Sequence, residues 1–176
     1  RTVDDKGLSV TRPQNLATEN SFGAEFTGSY SAFSWWKTDA SFNFFRAITD
    51  GSNLNQEFNS DTYSWFVRLL SRATVWKNTE IQIRGNYEAP QKTPQGKRKA
   101  LATMDMAVSK DILKDKATLT LNVIDVFNSR KFRSIIEGDN FYTESMGQGR
   151  LRQTNLTFNY RLRQAKKKTK ESLEQD

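Results

Sequence analysis

Five carboxylates, Glu25, Asp39, Glu80, Glu88 and Asp105, recur on the polar side of an alternating pattern, together with Arg68, Arg72 and Arg84. Two carboxyls held close together can act as general acid and base. Carboxylates and guanidinium groups on neighbouring strands suit a different role, a cross-strand ladder of ion pairs that satisfies charge in a wet interior. The ladder is the expected role here. Composition removes most other chemistry. The 176 residues contain no His and no Cys, so no Ser-His-Asp triad, thiol nucleophile or Cys/His zinc or haem site can be built. Without Cys the redox compartment is not legible. Gly147-Gln148-Gly149 lacks the third glycine and the following helix of a dinucleotide loop. Asn155-Leu156-Thr157 matches a glycosylation sequon but falls inside an expected strand. The expectation is a protein that is not an enzyme and uses no cofactor or metal.

The elements that position these charges alternate with period two rather than with helical spacing. Seven segments carry the pattern: Ser21–Ala32, Thr38–Thr49, Tyr63–Val75, Thr79–Ala89, Ala100–Lys110, Ala117–Phe127 and Gln153–Arg163. In Thr79–Ala89, Ile81, Ile83, Gly85, Tyr87 and Ala89 oppose Glu80, Gln82, Arg84, Asn86 and Glu88. In the last segment Leu156, Phe158, Tyr160 and Leu162 oppose Asn155, Thr157, Asn159 and Arg161. Each run is about 10 residues, the length a tilted strand needs to cross a bilayer. Mean hydropathy of −0.75 accompanies the absence of any long apolar stretch. That excludes a transmembrane helix but suits strands that are only half apolar.

Connections alternate in length. Phe33–Lys37, Trp76–Asn78 and Asp111–Lys116 are short, whereas Asp50–Thr62, Pro90–Lys99 and Asn128–Arg152 are long. Outer-membrane barrels keep short turns on the periplasmic side and long loops outside. The aromatics follow this parity. Trp35, Trp36, Trp76 and Tyr160 fall toward the short-turn end, and Tyr63, Trp65 and Tyr87 toward the long-loop end, as two interfacial girdles would. Arg46 breaks the apolar side of its strand, but near the long-loop rim, where a lipid-facing Arg costs only about 0–1 kcal/mol. Asp125 also falls on the apolar side and reads as a strand-end residue. Phe45 and Phe66 point to the polar side.

The net charge of +7 is local. The loop residues Lys92, Lys97, Arg98 and Lys99 contribute +4, and Arg161–Asp176 contributes +3. Nucleic acid is therefore not an expected partner. The basic loop reads as solvated, with contact to lipopolysaccharide phosphates or substrate as the sharper alternative. The apolar loop residues Phe132, Ile135, Ile136, Phe141, Tyr142 and Met146 suggest packing over a pore mouth or against a partner.

The stretch Asn86–Phe132 (NYEAPQKTPQGKRKALATMDMAVSKDILKDKATLTLNVIDVFNSRKF), Thr154–Lys168 (TNLTFNYRLRQAKKK) and the turn Ala32–Lys37 (AFSWWK) resemble the C-terminal barrel region of outer membrane proteins related to TonB-dependent receptors. Leu119–Phe132 is the most specific piece. The resemblance implies a barrel of roughly 22 strands, a plug, and uptake of a bulky ligand powered through TonB. Seven strands and no plug segment lead to the expectation of a C-terminal piece of a longer chain.

The expected fold is thus all-β, an antiparallel up-and-down transmembrane barrel segment. Residues 1–19 are read as an extracellular loop or strand end, 20–163 as barrel strands, and 164–176 as a basic, disordered periplasmic tail. The expected location is the outer membrane of a Gram-negative bacterium. Expected partners are membrane lipids, the rest of the barrel with its plug, TonB, and a surface or periplasmic protein. The expected function is ligand uptake. The alternatives are a structural or interaction barrel without transport, and a soluble ligand-binding β-barrel, which full solubility without detergent would favour.

Overall fold

A computed structural model describes residues 2–3, 6–10, 15, 18–53, 59–138 and 141–162. The expected basic tail, 164–176, lies outside them. Two short strands, β1 (Thr2–Val3) and β2 (Ser9–Val10), form a small ladder ahead of the main sheet. The remaining strands are β3 (Thr18–Phe33), β4 (Trp36–Asp50), β5 (Ser60–Val75), β6 (Thr79–Glu88), β7 (Gln91–Thr93), β8 (Gly96–Arg98), β9 (Leu101–Ile112), β10 (Ala117–Ile124), β11 (Phe132–Gly138), β12 (Phe141–Gly147) and β13 (Gln153–Tyr160).

Seven of them build one antiparallel sheet in the order β13-β10-β9-β6-β5-β4-β3, each strand beside its predecessor in the meander. The register carries side-chain alternation across the whole sheet. One apolar row runs Phe26, Phe42, Val67, Tyr87 and Ala102, and another runs Trp36, Ala73, Ile81, Val108, Leu121 and Leu156. A slip of one residue would flip every one of these side chains.

The short turns owe their tightness to unusual backbone conformations. Trp76 and Asn78 adopt left-handed φ values of 50° and 64°, and Leu113, Lys114 and Asp115 do so in succession. The two turns are stitched together, Asn78 Nδ2 donating to Asp115 Oδ1 at 2.9 Å. A one-residue irregularity in β3 between Tyr30 and Phe33 lets the chain reverse through Ser34-Trp35.

Two expected loops contain further strands. β7–β8 and β11–β12 are hairpins that pair with each other through β8 and β11, giving a four-stranded sheet in the order β12-β11-β8-β7 at the long-loop end. This sheet is anchored to the large one where the Lys92 amide donates to Thr62 Oγ1 at 3.3 Å. Gly96 makes the pairing possible. Its φ is +139°, and a Cβ there would collide with the Ile135 carbonyl oxygen. Gly96→Ala should therefore loosen the β8–β11 ladder, at a cost of about 1–3 kcal/mol. Hydrogen exchange at the Lys99 amide, which donates to Arg133 O at 2.9 Å, should accelerate while amides of β4 and β5 do not. Unchanged exchange at Lys99 would refute that account.

The large sheet has almost no core. Among described residues the buried apolar side chains are Ala47, Ala89, Leu101, Ala117 and Ile135. The large apolar side chains stand uncovered instead: Phe26 is 63% exposed, Tyr30 64% and Leu156 69%. In water such a face would be covered by another layer.

Candidate functional site

The opposite, polar face curves around a cavity of about 840 Å³. Across it runs the row Thr27, Ser41, Arg68, Asn86, Thr103, and next to it the row Ser29, Asp39, Leu70, Arg84, Asp105. Arg130, from the connection after β10, and Phe132, the first residue of β11, also line it.

The expected ladder of ion pairs is only partly present. Asp39 receives Ser29 Oγ at 2.5 Å, Lys37 at 3.2 Å and Arg72 at 3.9 Å. Arg84 stands directly opposite Asp105 in register, yet the carboxylate of Asp105 faces Arg130 at 3.3 Å and accepts the Asp125 amide at 2.8 Å. Arg68 lies over the Phe66 ring, 4.7 Å from its centroid. Among described residues no carboxylate comes within 4.0 Å of Arg68 or Arg84. Glu88 accepts from Asn86 Nδ2 at 3.3 Å. Glu80 sits in register with Thr74 and Ser109, away from the cavity lining. Among described residues no carboxylate is hydrogen-bonded to another carboxylate.

The group that sequence reasoning underrated is Asp125. The strand expected to run to Phe127 stops at Ile124, because Asp125 turns to a φ of +57°, a conformation Asp and Asn tolerate better than most residues. Its side chain is only 1% exposed. The carboxylate accepts the Ser129 amide at 2.9 Å, the Arg130 amide at 3.0 Å and Ser129 Oγ at 3.2 Å. Burial opposes its charge, but these hydrogen bonds and the Arg130 guanidinium outweigh burial and hold the carboxyl below its ordinary range. The loop also ties back to β9 through Val126 N to Met104 O and Ser129 Oγ to Ala102 O. Asn128 accepts from Gln148 and from the Arg152 amide, joining both ends of the long connection. Asp and Asn three residues apart at the end of an alternating run were the available signal.

The aromatics fall at two heights. Trp35 and Trp76 occupy short turns, Trp36 begins β4 and donates Nε1 to Ser71 Oγ at 2.8 Å, and Tyr160 pairs with Ala117 beside the 113–116 turn. Toward the long loops, Trp65 contacts Tyr87 at 4.9 Å between centroids, and Tyr63 stacks on Phe44 at 5.9 Å. Arg46 is accommodated on this face by a two-pronged pair with Asp61, at 2.8 and 2.5 Å, between the rings of Phe22 and Tyr63. In the basic loop, Lys99 pairs with Glu144, which lowers the glutamate's pKa. Arg98 donates to Gln91, and Lys92 and Lys97 are cross-strand neighbours, both exposed.

A long antiparallel meander with one uncovered apolar face and one wet, charged face defines the wall of a transmembrane β-barrel. The model of the outer membrane protein β-barrel family matches residues 1–160, and the chain belongs to that family. Comparisons with curated proteins and with solved structures return no match.

Proposed function

We propose that these seven strands are part of a larger outer-membrane barrel of the TonB-dependent-receptor type, which takes a bulky ligand inward past a plug. The observation that carries this reading is the pair of unpaired edges. Among described residues β3 and β13 each have one neighbour only, and a lipid-exposed open edge leaves backbone groups unsatisfied at several kcal/mol each. Further strands must therefore meet both edges, up to roughly 22 by resemblance. The uncovered apolar face would contact lipid, the two groups of aromatics would lie at the headgroup levels, and the short turns would be periplasmic, as would the C-terminus. The transport role rests on the resemblance of Leu119–Phe132, and on a polar face that a solute or plug could occupy. In this role the protein is a conduit rather than a catalyst, with lipid, its own plug and TonB as partners.

The test compares cells with and without the whole gene for solutes removed from the medium, measured by mass spectrometry. Depletion that needs the gene and stops when a protonophore collapses the inner-membrane gradient is expected. Gene-independent depletion, with the barrel correctly assembled, would sink the transport reading and leave an interaction subunit.

A further inference from the structure

We propose that Arg68 and Arg84 form a binding site for a hydroxylated organic anion, one carrying a carboxylate or phosphate beside several hydroxyl groups. The argument starts from register. Arg68 faces Asn86 and Arg84 faces Leu70, so the two arginines are diagonal neighbours on the same polar face. Diagonal positions lie about 7–8 Å apart, a gap that two long guanidinium side chains can close on a single anion.

Each arginine has a carboxylate near in register, and neither takes it. Asp105 opposite Arg84 is engaged by Arg130 and by the Asp125 amide. Glu88, diagonal to Arg68, accepts from Asn86. Elsewhere on this face the charges do pair, Asp39 with Lys37 and Arg72. Asp39, Glu88 and Asp105 line the same cavity as the two arginines, but each is engaged by another partner, which leaves two forks open on its wall. The Arg68 guanidinium rests over the Phe66 ring, on the side of Arg68 away from Arg84, so taking one anion with Arg84 requires it to swing off that ring. A planar fork matches carboxylate and phosphate oxygens two at a time.

The neighbours define the rest of the ligand. Thr27, Ser41, Asn86 and Thr103 share the row of Arg68 and line the same cavity. They are neutral donors and acceptors suited to hydroxyl groups. Phe132 adds an apolar surface to the lining.

This inference rests on the barrel reading but not on transport. The experiment uses the full-length protein in lipid nanodiscs and titrates three probes by calorimetry: glucuronate, glucose 6-phosphate and glucose. The first two separate carboxylate from phosphate, and the third is the uncharged control. Binding of at least one anion and none of glucose is expected. Arg68→Gln and Arg84→Gln should each weaken it about tenfold or more, as loss of a charged hydrogen bond does, and the double variant should abolish it. Arg68→Lys should restore part of the affinity, and Arg72→Gln, which removes the same charge from an ion-paired neighbour, should change little. Heat-modified mobility on gels confirms that each variant is folded. In the ligand-free protein phenylglyoxal should modify Arg84, and the bound probe should protect it. Equal binding by the folded double variant overturns the proposal. So does an Arg84 that resists phenylglyoxal without any probe while Arg98 reacts, since a carboxylate of the barrel's own interior would then fill the site. Anion binding without uptake would sink only the transport reading, and uptake without anion binding only this one.

Discussion

Asp125→Ala is expected to be the most destabilising single change outside the barrel strands, lowering the stability of the assembled protein by about 3–5 kcal/mol. Among described residues the carboxylate is the sole side-chain acceptor for the Ser129 and Arg130 amides, and it also takes Ser129 Oγ. Removing it empties a position only 1% exposed and leaves the two part-buried amides without that acceptor, at about 1–3 kcal/mol for each unsatisfied group, while Ser129 Oγ keeps Ala102 O at 2.6 Å. It also puts Ala at a φ of +57°, where Asp is better tolerated. Asp125→Asn keeps an acceptor and should lose less. Urea midpoints of the full-length protein in lipid vesicles, followed by Trp fluorescence, measure the difference. The effect has a defined pH dependence. The folded carboxyl titrates below its ordinary range and the unfolded one near about 3.9. Its stabilisation is therefore complete above the unfolded value and is lost as pH falls through the folded one. The gap between wild type and Asp125→Ala should hold at neutral pH and narrow in acid; a gap that widens in acid would contradict the assignment.

Leu69→Arg should be the most damaging change on the apolar face. Leu69 is 40% exposed, halfway along β5 between Ala40 and Gly85. On a water-washed surface such a substitution would be nearly silent. Facing lipid near the bilayer centre it should cost about 2–4 kcal/mol. Arg46 shows what an arginine on this face requires: a rim position, Asp61 in two-pronged contact, and rings on both sides. Leu69 has none of these. The same vesicle assay, with Leu69→Ala as a control for lost packing, decides the matter. If Leu69→Arg and Leu69→Ala unfold alike, the face does not see hydrocarbon.

The seven long strands were legible because alternation is a local property, and the observed bounds differ from the expected ones by only a few residues in most cases. The short-turn and long-loop parity was legible for the same reason. What the sequence hid was whatever depends on distant partners. Phe132–Gly138 and Phe141–Gly147 are short and only partly alternating, and β11 finds β8 across more than thirty residues of chain. The pairing of Arg84 with Asp105 follows from register alone, yet Arg130, twenty-five residues past Asp105, takes the carboxylate. A register rule places backbones opposite each other but does not decide which of several cations a flexible carboxylate will choose. Asp125 was placed correctly at a strand end. Its burial came from a loop that folds back on β9, which no pattern within β10 could reveal.

The β8–β11 pairing also decides how the long-loop end can move. Because β7–β8 and β11–β12 share one ladder, neither hairpin can swing open alone without breaking backbone hydrogen bonds to the other. Opening and closing over the polar face would then be the tilt of a single four-stranded plate. Its connections to the large sheet are the chain segments at Ala89-Pro90, Lys99-Ala100, Asp125–Lys131 and Gln148–Arg152, and such a tilt would have to work against the buried Asp125, the Ala89 amide on Trp65 O, the Lys92 amide on Thr62, and the ties of Gln148 and Arg152 to Asn128.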